Sequence, residues 1–386
     1  MQRSGTAVAE ILERLVSFDT TSHKTNIPLI EYVEAYLGAH GVASCRVPND
    51  DGSKASLFAT IGPAGEAGVA LSGHTDVVPV EGQAWDTDPF SLFERDGQYF
   101  GRGTTDMKGF LACALAAVPR FMATNLTKPI HLAFSYDEEV GCIGVRPMIE
   151  KLGVDLPMPR LVIVGEPTSM RVVDAHKGPM RWQIDIAGRA AHSSMAHLGV
   201  NAIAVAGQII GELMLIEAEL AARTPDPRFE PPYPTLQVTT IEGGTASNIV
   251  PVGCKFGFEI RSMPGLDIDA IEARLQRFNE RVCLPVMRAR APEAKITLTR
   301  TNSVPPFGTP PDSEAVALAL KLAGQNETFA VSYATEAGLF QDAGASSVVC
   351  GPGNIAQAHT ANEWIAASEL EKCSRFMDKL ADWCAA

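Results

Sequence analysis

The sequence predicts an α/β protein that carries a smaller α+β domain as an insert, and three observations support this. Strand-like and helix-like segments alternate over residues 1–176, the pattern of a largely parallel sheet flanked by helices. After His176 the order changes to βαββαβ, the split βαβ arrangement. After the proline-rich stretch SVPPFGTPPD the first pattern resumes. The expected domains are therefore 1–176 with 299–386, and 177–298 between them. At 386 residues the chain is long enough to build two cores.

In chain order, amphipathic patterns predict helices at about 5–17 and 26–40. The apolar, β-branched runs SLFATIG and GVALSGHTDVV follow as strands, then MKGFLACALAAVPRFM as a helix, and PIHLAFSYDEE and RLVIVGEP as strands. In the insert, RWQIDIAG alternates apolar and polar residues, as a half-buried strand does. NAIAVAGQIIGELMLIEAEL is helical, TLQVTTIEG and CKFGFEIRS are strands, DIDAIEARLQRFNERV is the second helix, and KITLTRT closes the unit. A helix at 313–324, the strand and loop ASSVVCGPG, and an amphipathic helix near 368–384 complete the larger domain.

Composition limits the function. Lys and Arg number 32 against 45 Asp and Glu, a formal charge of −13 with no long basic run, which argues against nucleic acid and anionic membranes as partners. The longest apolar run, GFLACALAAV, stops at Pro119, well short of the roughly 18 residues of a membrane span. The opening MQRSGTAVAEILERLVSF lacks the apolar core of a signal peptide. The eight cysteines are scattered, with no C-x-x-C pair, which suits reduced thiols and a cytoplasmic location.

Chemistry-bearing residues recur at the ends of the predicted strands. His74 and Asp76 sit two apart in LSGHTDVVPV, so in a strand they share a face, either as a hydrogen-bonded core pair or as part of a metal site. Asp106 lies in GRGTTDMKG, Glu138 and Glu139 in YDEEVG, Glu166 in IVGEPT and His359 in QAHTANE. The carboxyl ends of strands in an open α/β sheet share one crevice, where such residues can converge. Histidines and carboxylates together are the ligand types of zinc and similar divalent ions. Adjacent strand residues face opposite ways, so Glu138 and Glu139 can both reach one site only where the strand has ended, and Gly141 is placed to allow the turn. The other reading of that pair is two solvated glutamates. GRGTTDMKG lacks the glycine spacing of a dinucleotide site, and no G-x-S-x-G elbow is present.

The ordered set GHTDVVP, GRGTTDMKG, DEEVG, VGEPT and AHTANE resembles the co-catalytic zinc hydrolases that include acetylornithine deacetylases, succinyl-diaminopimelate desuccinylases and glutamate-releasing carboxypeptidases. The likeness covers essentially the whole chain, and SYDEEVGC, DAHKGPM and CGPGNIAQAHTANE are most similar to the first of these groups. The resemblance implies a metallopeptidase-like catalytic domain and a lid or dimerisation insert. It also implies two divalent ions, zinc first with cobalt or manganese as alternatives, and a homodimer joined through the insert. It makes Asp106 the bridging carboxylate, His74 and Glu166 the ligands of one ion, and Glu139 and His359 those of the other. Asp76 would orient His74, and Glu138 would be the general base. His192 in GRAAHSSMAH would stabilise an oxyanion, Asn248 in TASNIVP and Arg261 in FEIRS would hold substrate, and the alternatives are a loop histidine and a sheet salt bridge.

The implied reaction is hydrolysis of an N-acyl amino acid, with N-acetylornithine as the first candidate. A desuccinylase, a broad aminoacylase or dipeptidase, and a noncatalytic metal or amino-acid binding protein are the alternatives. Ornithine's distal ammonium calls for an acidic partner. Glu336 in YATEAGLF, following the strand-like FAVSYAT, is the candidate at the crevice mouth, its other reading being a solvated or helix-capping glutamate.

Overall fold

The computed structural model describes residues 2–386, which divide into two units, one of 2–175, 308–330 and 335–386, the other of 176–307 and 331–334. The first unit opens with helices α1 (Gln2–Val16) and α2 (Ile27–Ala39) and strands β1 (Ser44–Pro48), β2 (Ala55–Ile61) and β3 (Val69–His74). A small hairpin, β4 (Phe93–Arg95) and β5 (Gln98–Phe100), precedes α3 (Gly109–Ala123), β6 (Ile130–Ser135), α4 (Arg146–Ile149), β7 (Leu161–Pro167) and β8 (Val173–His176). The second unit holds β9 (Gly178–Ala187), α5 (Ala202–Ala221), β10 (Thr235–Gly243), β11 (Gly253–Ser262), α6 (Ile268–Phe278), α7 (Leu284–Arg288) and β12 (Lys295–Ser303). The chain then runs through β13 (Phe307–Gly308), α8 (Glu314–Ala323), β14 (Phe329–Val331), α9 (Ala337–Asp342), β15 (Ser346–Gly351), β16 (Trp364–Ala366) and α10 (Ala367–Ala385).

The large sheet has the order β1-β2-β6-β3-β7-β15-β8-β13, with β14 beside β8. Its centre is parallel: β6, β3, β7 and β15 run the same way, while β1 pairs antiparallel with β2, and β2 with β6. β3, β6 and β7 are buried at every position, as expected of parallel strands covered on both faces. Antiparallel strands flank this parallel centre. β1 is part-exposed and carries Arg46, which is ion-paired to Glu34.

The second unit is a four-stranded antiparallel sheet in the order β10-β11-β9-β12. Helix α5 is capped by Asn201, whose side chain accepts the Ala204 N–H, and it buries Val205, Ile209, Leu213, Ile216 and Leu220 along one face. Trp182 stacks on Phe258 at 5.0 Å between ring centroids and donates from Nε1 to Glu272. The sequence boundary after Leu298 falls inside β12. That strand stays paired with β9 as far as Ser303↔Met180, so residues 299–307, expected in the larger domain, belong to the second unit. Val331–Ala334 join it as well.

Close approach of helix to sheet holds the strand that carries Glu166. Gly165 of β7 lies under Phe110 of α3, and a methyl group there would stand 2.1 Å from the ring's Cγ. Gly165→Ala should therefore lower unfolding stability by ~1–3 kcal/mol through overpacking, read as a lower urea midpoint. An unchanged midpoint would mean that α3 moves away freely.

Candidate metal centre

The parallel strands deliver their carboxyl ends to one crevice of the first unit. His74 is the last residue of β3, Glu166 is the penultimate residue of β7, Glu138 and Glu139 follow β6, Asp106 precedes α3, and His359 follows β15. Donor atoms of His74, Asp106 and Glu139 lie within 4.8 Å of one another, as do those of His74, Glu138 and Glu166.

Asp106 stands at the middle with a different histidine at each oxygen. Its Oδ1 is 3.0 Å from His74 Nε2, and its Oδ2 is 3.2 Å from His359 Nε2. Glu166 lies on the His74 side at 3.7 Å, and Glu139 on the His359 side at 3.1 Å. The carboxylate thus separates two half-sites of one histidine and one glutamate each.

Asp76 departs from its expected place. β3 ends at His74, so Asp76 is outside the strand, and His74 Nδ1 donates at 2.9 Å to the Asp76 backbone carbonyl, while the carboxylate is 3.5 Å away. The backbone bond fixes the imidazole with Nε2 toward Asp106. The Asp76 carboxylate accepts the backbone N–H groups of Glu138 at 3.1 Å and Glu139 at 3.3 Å, and the Ser22 hydroxyl at 2.8 Å. One aspartate therefore steadies both His74 and the loop that carries the paired glutamates.

The turn after β6 is made at Asp137, before the glutamate pair, rather than at the glycine that follows it. Asp137 adopts a left-handed conformation, φ 54°, accessible to aspartate, and its carboxylate is held by Lys54 Nζ at 2.6 and 2.8 Å. Gly141, φ 117°, comes after the pair, where its N–H and that of Cys142 return to the Glu138 carbonyl. With the strand ended, Glu138 and Glu139 both face the crevice, and the Cys142 thiol donates to Glu138 Oε1 at 3.3 Å.

Burial concentrates negative charge here. Burial, then the Asp106 charge, raises Glu139 to about 7 and holds Glu166 well above the carboxylate range. Burial and the charges of Glu139, Asp106 and Glu336 do the same for Glu138. Asp106 is held low against burial by its bonds to His359 and His74. His359 is raised to about 10 by Asp106 and Glu139. Several buried carboxyls facing two imidazoles are destabilising without further positive charge, and the donor set is that of borderline divalent ions. The residues fit such ions.

The structure relocates Glu336. It is 1% exposed at the start of α9, and its carboxylate accepts the hydroxyls of Ser72, at 3.1 Å, and Ser135. Burial raises it to about 7. It is not at a crevice mouth, because the serines of β3 and β6 draw it between the sheet and α9, and the role of ammonium partner is withdrawn. His192, Asn248 and Arg261 lie in the second unit. His192 is exposed, and its Nδ1 accepts the Ser194 N–H at 3.2 Å and contacts the Ser194 hydroxyl at 2.7 Å. The Asn248 carbonyl accepts the Ser193 N–H at 3.0 Å, and Arg261 Nε donates to Glu259 at 2.6 Å, a sheet ion pair.

Two further charged residues, Arg102 of GRGTTDMKG and Glu363 of AHTANE, take part, and motif spacing alone gives neither a role. Glu363 is fully buried, and its Oε1 accepts the backbone N–H groups of Thr105 at 2.9 Å and Asp106 at 3.1 Å. Its Oε2 accepts Arg102 Nη1 at 2.7 Å. Unassigned charges within AHTANE and GRGTTDMKG were the available signal.

The geometry and the family comparison agree. The chain belongs to peptidase family M20/M25/M40, whose model matches residues 70–383, and it is a metal-dependent amide hydrolase. It is 35% identical to the acetylornithine deacetylase of Myxococcus xanthus over 98% of each chain. In fold it resembles the M20 family metallo-carboxypeptidase Sso-CP2 from Sulfolobus solfataricus, with a TM-score of 0.76 and 19% identity over 98% of this chain and 99% of that one. It also resembles the Bacillus subtilis YXEP protein, described as a dinuclear metal binding peptidase, with a TM-score of 0.71 and 16% identity over 99% and 98%. No helix among the described residues is long and apolar enough to cross a membrane.

The raised carboxyls set a pH dependence. The folded, metal-free site keeps protons on Glu139 and Glu336 up to about 7, whereas the unfolded chain releases them above its ordinary 4.5. The native state then binds more protons, so these groups' contribution to stability is full below about 4.5 and is lost as pH rises through about 7. Ligands must be deprotonated to bind metal, so added zinc should raise the melting temperature more at pH 7.5 than at pH 5. A shift that is equal at both values would contradict this.

Proposed function

We propose that the enzyme hydrolyses N-acetylornithine to ornithine and acetate using two zinc ions, one on each side of Asp106. The observation that carries the reading is the division of the Asp106 oxygens between His74 and His359. The substrate rests on the name of the Myxococcus xanthus relative. In this assignment His74 and Glu166 would hold one ion and Glu139 and His359 the other, with Asp106 as a ligand common to both.

When bound, the ions lower the pKa of a water and polarise the acyl carbonyl. Glu138 has the proton-transfer role: with Cys142 on Oε1, its Oε2 takes the water proton and returns it to the departing amine nitrogen. Asp76 holds the Glu138 amide so that the carboxylate stays aimed into the crevice. His192 accepts from Ser194 at Nδ1, which leaves Nε2–H as the donor for an oxyanion. Asn248 and the Nη atoms of Arg261 are the proposed substrate contacts, the latter for the α-carboxylate. A homodimer formed through the second unit, acting in the cytoplasm, belongs to the same proposal.

Turnover, read as free amine released, should be fastest for N-acetylornithine in a panel with N-acetylmethionine and N-succinyl-diaminopimelate, and should vanish on chelation and return with zinc. Faster turnover of either competitor would overturn the substrate. Glu138→Gln should bind both ions and lose ~10²–10⁴-fold in kcat. Loss of an ion in that variant would instead make Glu138 a ligand, a role its position beside His74 and Glu166 permits.

A further inference from the structure

Behind the metal centre, a chain of polar groups, fully buried at Glu363 and Arg102 and partly buried at Gln83, joins Asp106 to His359 within the first unit. Glu363 carries the Asp106 amide on one oxygen and Arg102 on the other. Arg102, itself fully buried, donates from Nη2 to Gln83 Oε1, and Trp85 Nε1 donates to the same oxygen at 3.2 Å. The guanidinium also lies 5.2 Å from the Trp85 ring centre. Two donors on Oε1 decide which way the amide faces. Its Nε2 is thereby left to donate to the His359 backbone carbonyl at 2.9 Å.

His359 needs such a bond. Its backbone is left-handed, φ 61°, an uncommon conformation for a residue with a ring on Cβ, and its side chain is half exposed. Asn362, also left-handed at φ 57°, exchanges hydrogen bonds with Asp86, so the loop containing Gln83 is fastened to the histidine loop at two points.

We propose that Gln83 is a positioning residue: through Arg102 and Glu363 it ties the His359 backbone to that of Asp106, so the protein sets the spacing of these two ligands before an ion arrives. The inference rests on the ligand assignment proposed above. Gln83 touches neither substrate nor metal in this account. Its effect is on the affinity of the ion shared by Asp106, Glu139 and His359.

The test is zinc titration by calorimetry of the full-length wild type, Gln83→Glu, Gln83→Ala and His359→Ala, with each metal-free melting temperature measured beside it. Gln83→Glu keeps an acceptor for Arg102 and Trp85 but has no donor for His359. Its added negative charge would by itself favour a cation, so a loss of affinity reports the missing donor. Both Gln83 variants should bind one ion as the wild type does and the second ~10–100-fold more weakly, with activity restored by raised zinc. Two ions bound at wild-type affinity in both Gln83 variants, while His359→Ala loses one, would overturn the role of Gln83 alone. Retention of both ions by His359→Ala would overturn the ligand assignment and this proposal with it. Equal weakening of both ions with a lowered melting temperature would mean general destabilisation and would also count against it.

Discussion

The Asp106 carboxylate, with a histidine at each oxygen and glutamates beyond both, is the constraint around which the first unit is organised. Ionised carboxylates are costly to bury, and a group of them in one crevice persists only if positive charge joins them or protons remain. The raised Glu138, Glu139 and Glu166 express that conflict in the protein alone. Divalent cations resolve it without protons, and the same ions supply the chemistry of amide hydrolysis.

The sheet makes this concentration of charge tolerable. Parallel strands buried on both faces form a rigid floor, and their carboxyl ends place His74, Glu166 and the segment bearing Glu138 and Glu139 beside one another. The loops above are held by hydrogen bonds to main-chain groups. Asp76 accepts the amides of Glu138 and Glu139, and Glu363 accepts that of Asp106. Each contact uses a buried charge to fix a backbone segment, so the ligating side chains depend little on their own rotamer freedom for position.

Much of this was legible in the sequence because the chemistry-bearing residues lie in short motifs at strand ends, and strand ends converge in an open α/β sheet. His74, Asp106, Glu138, Glu139, Glu166 and His359 all lie in the crevice. What escaped depended on details that periodicity does not encode. Because β3 ends at His74, the Asp76 carboxylate, 3.5 Å from the imidazole, also reaches two amides of the loop after β6. Glu336 read as a polar residue near a glycine, yet Ser72 and Ser135, distant in sequence, bury it. The strand expected from KITLTRT runs two residues further, to Ser303, and its pairing with β9 carries it past the domain boundary set at Leu298.

The central claim, that Asp106 bridges two ions, is tested most directly by anomalous X-ray scattering from crystals grown with zinc. The account predicts two peaks, one contacted by Asp106, His74 and Glu166 and the other by Asp106, Glu139 and His359, with Glu138 bound to neither. A single peak at full zinc occupancy, or two peaks that do not share Asp106, would contradict it.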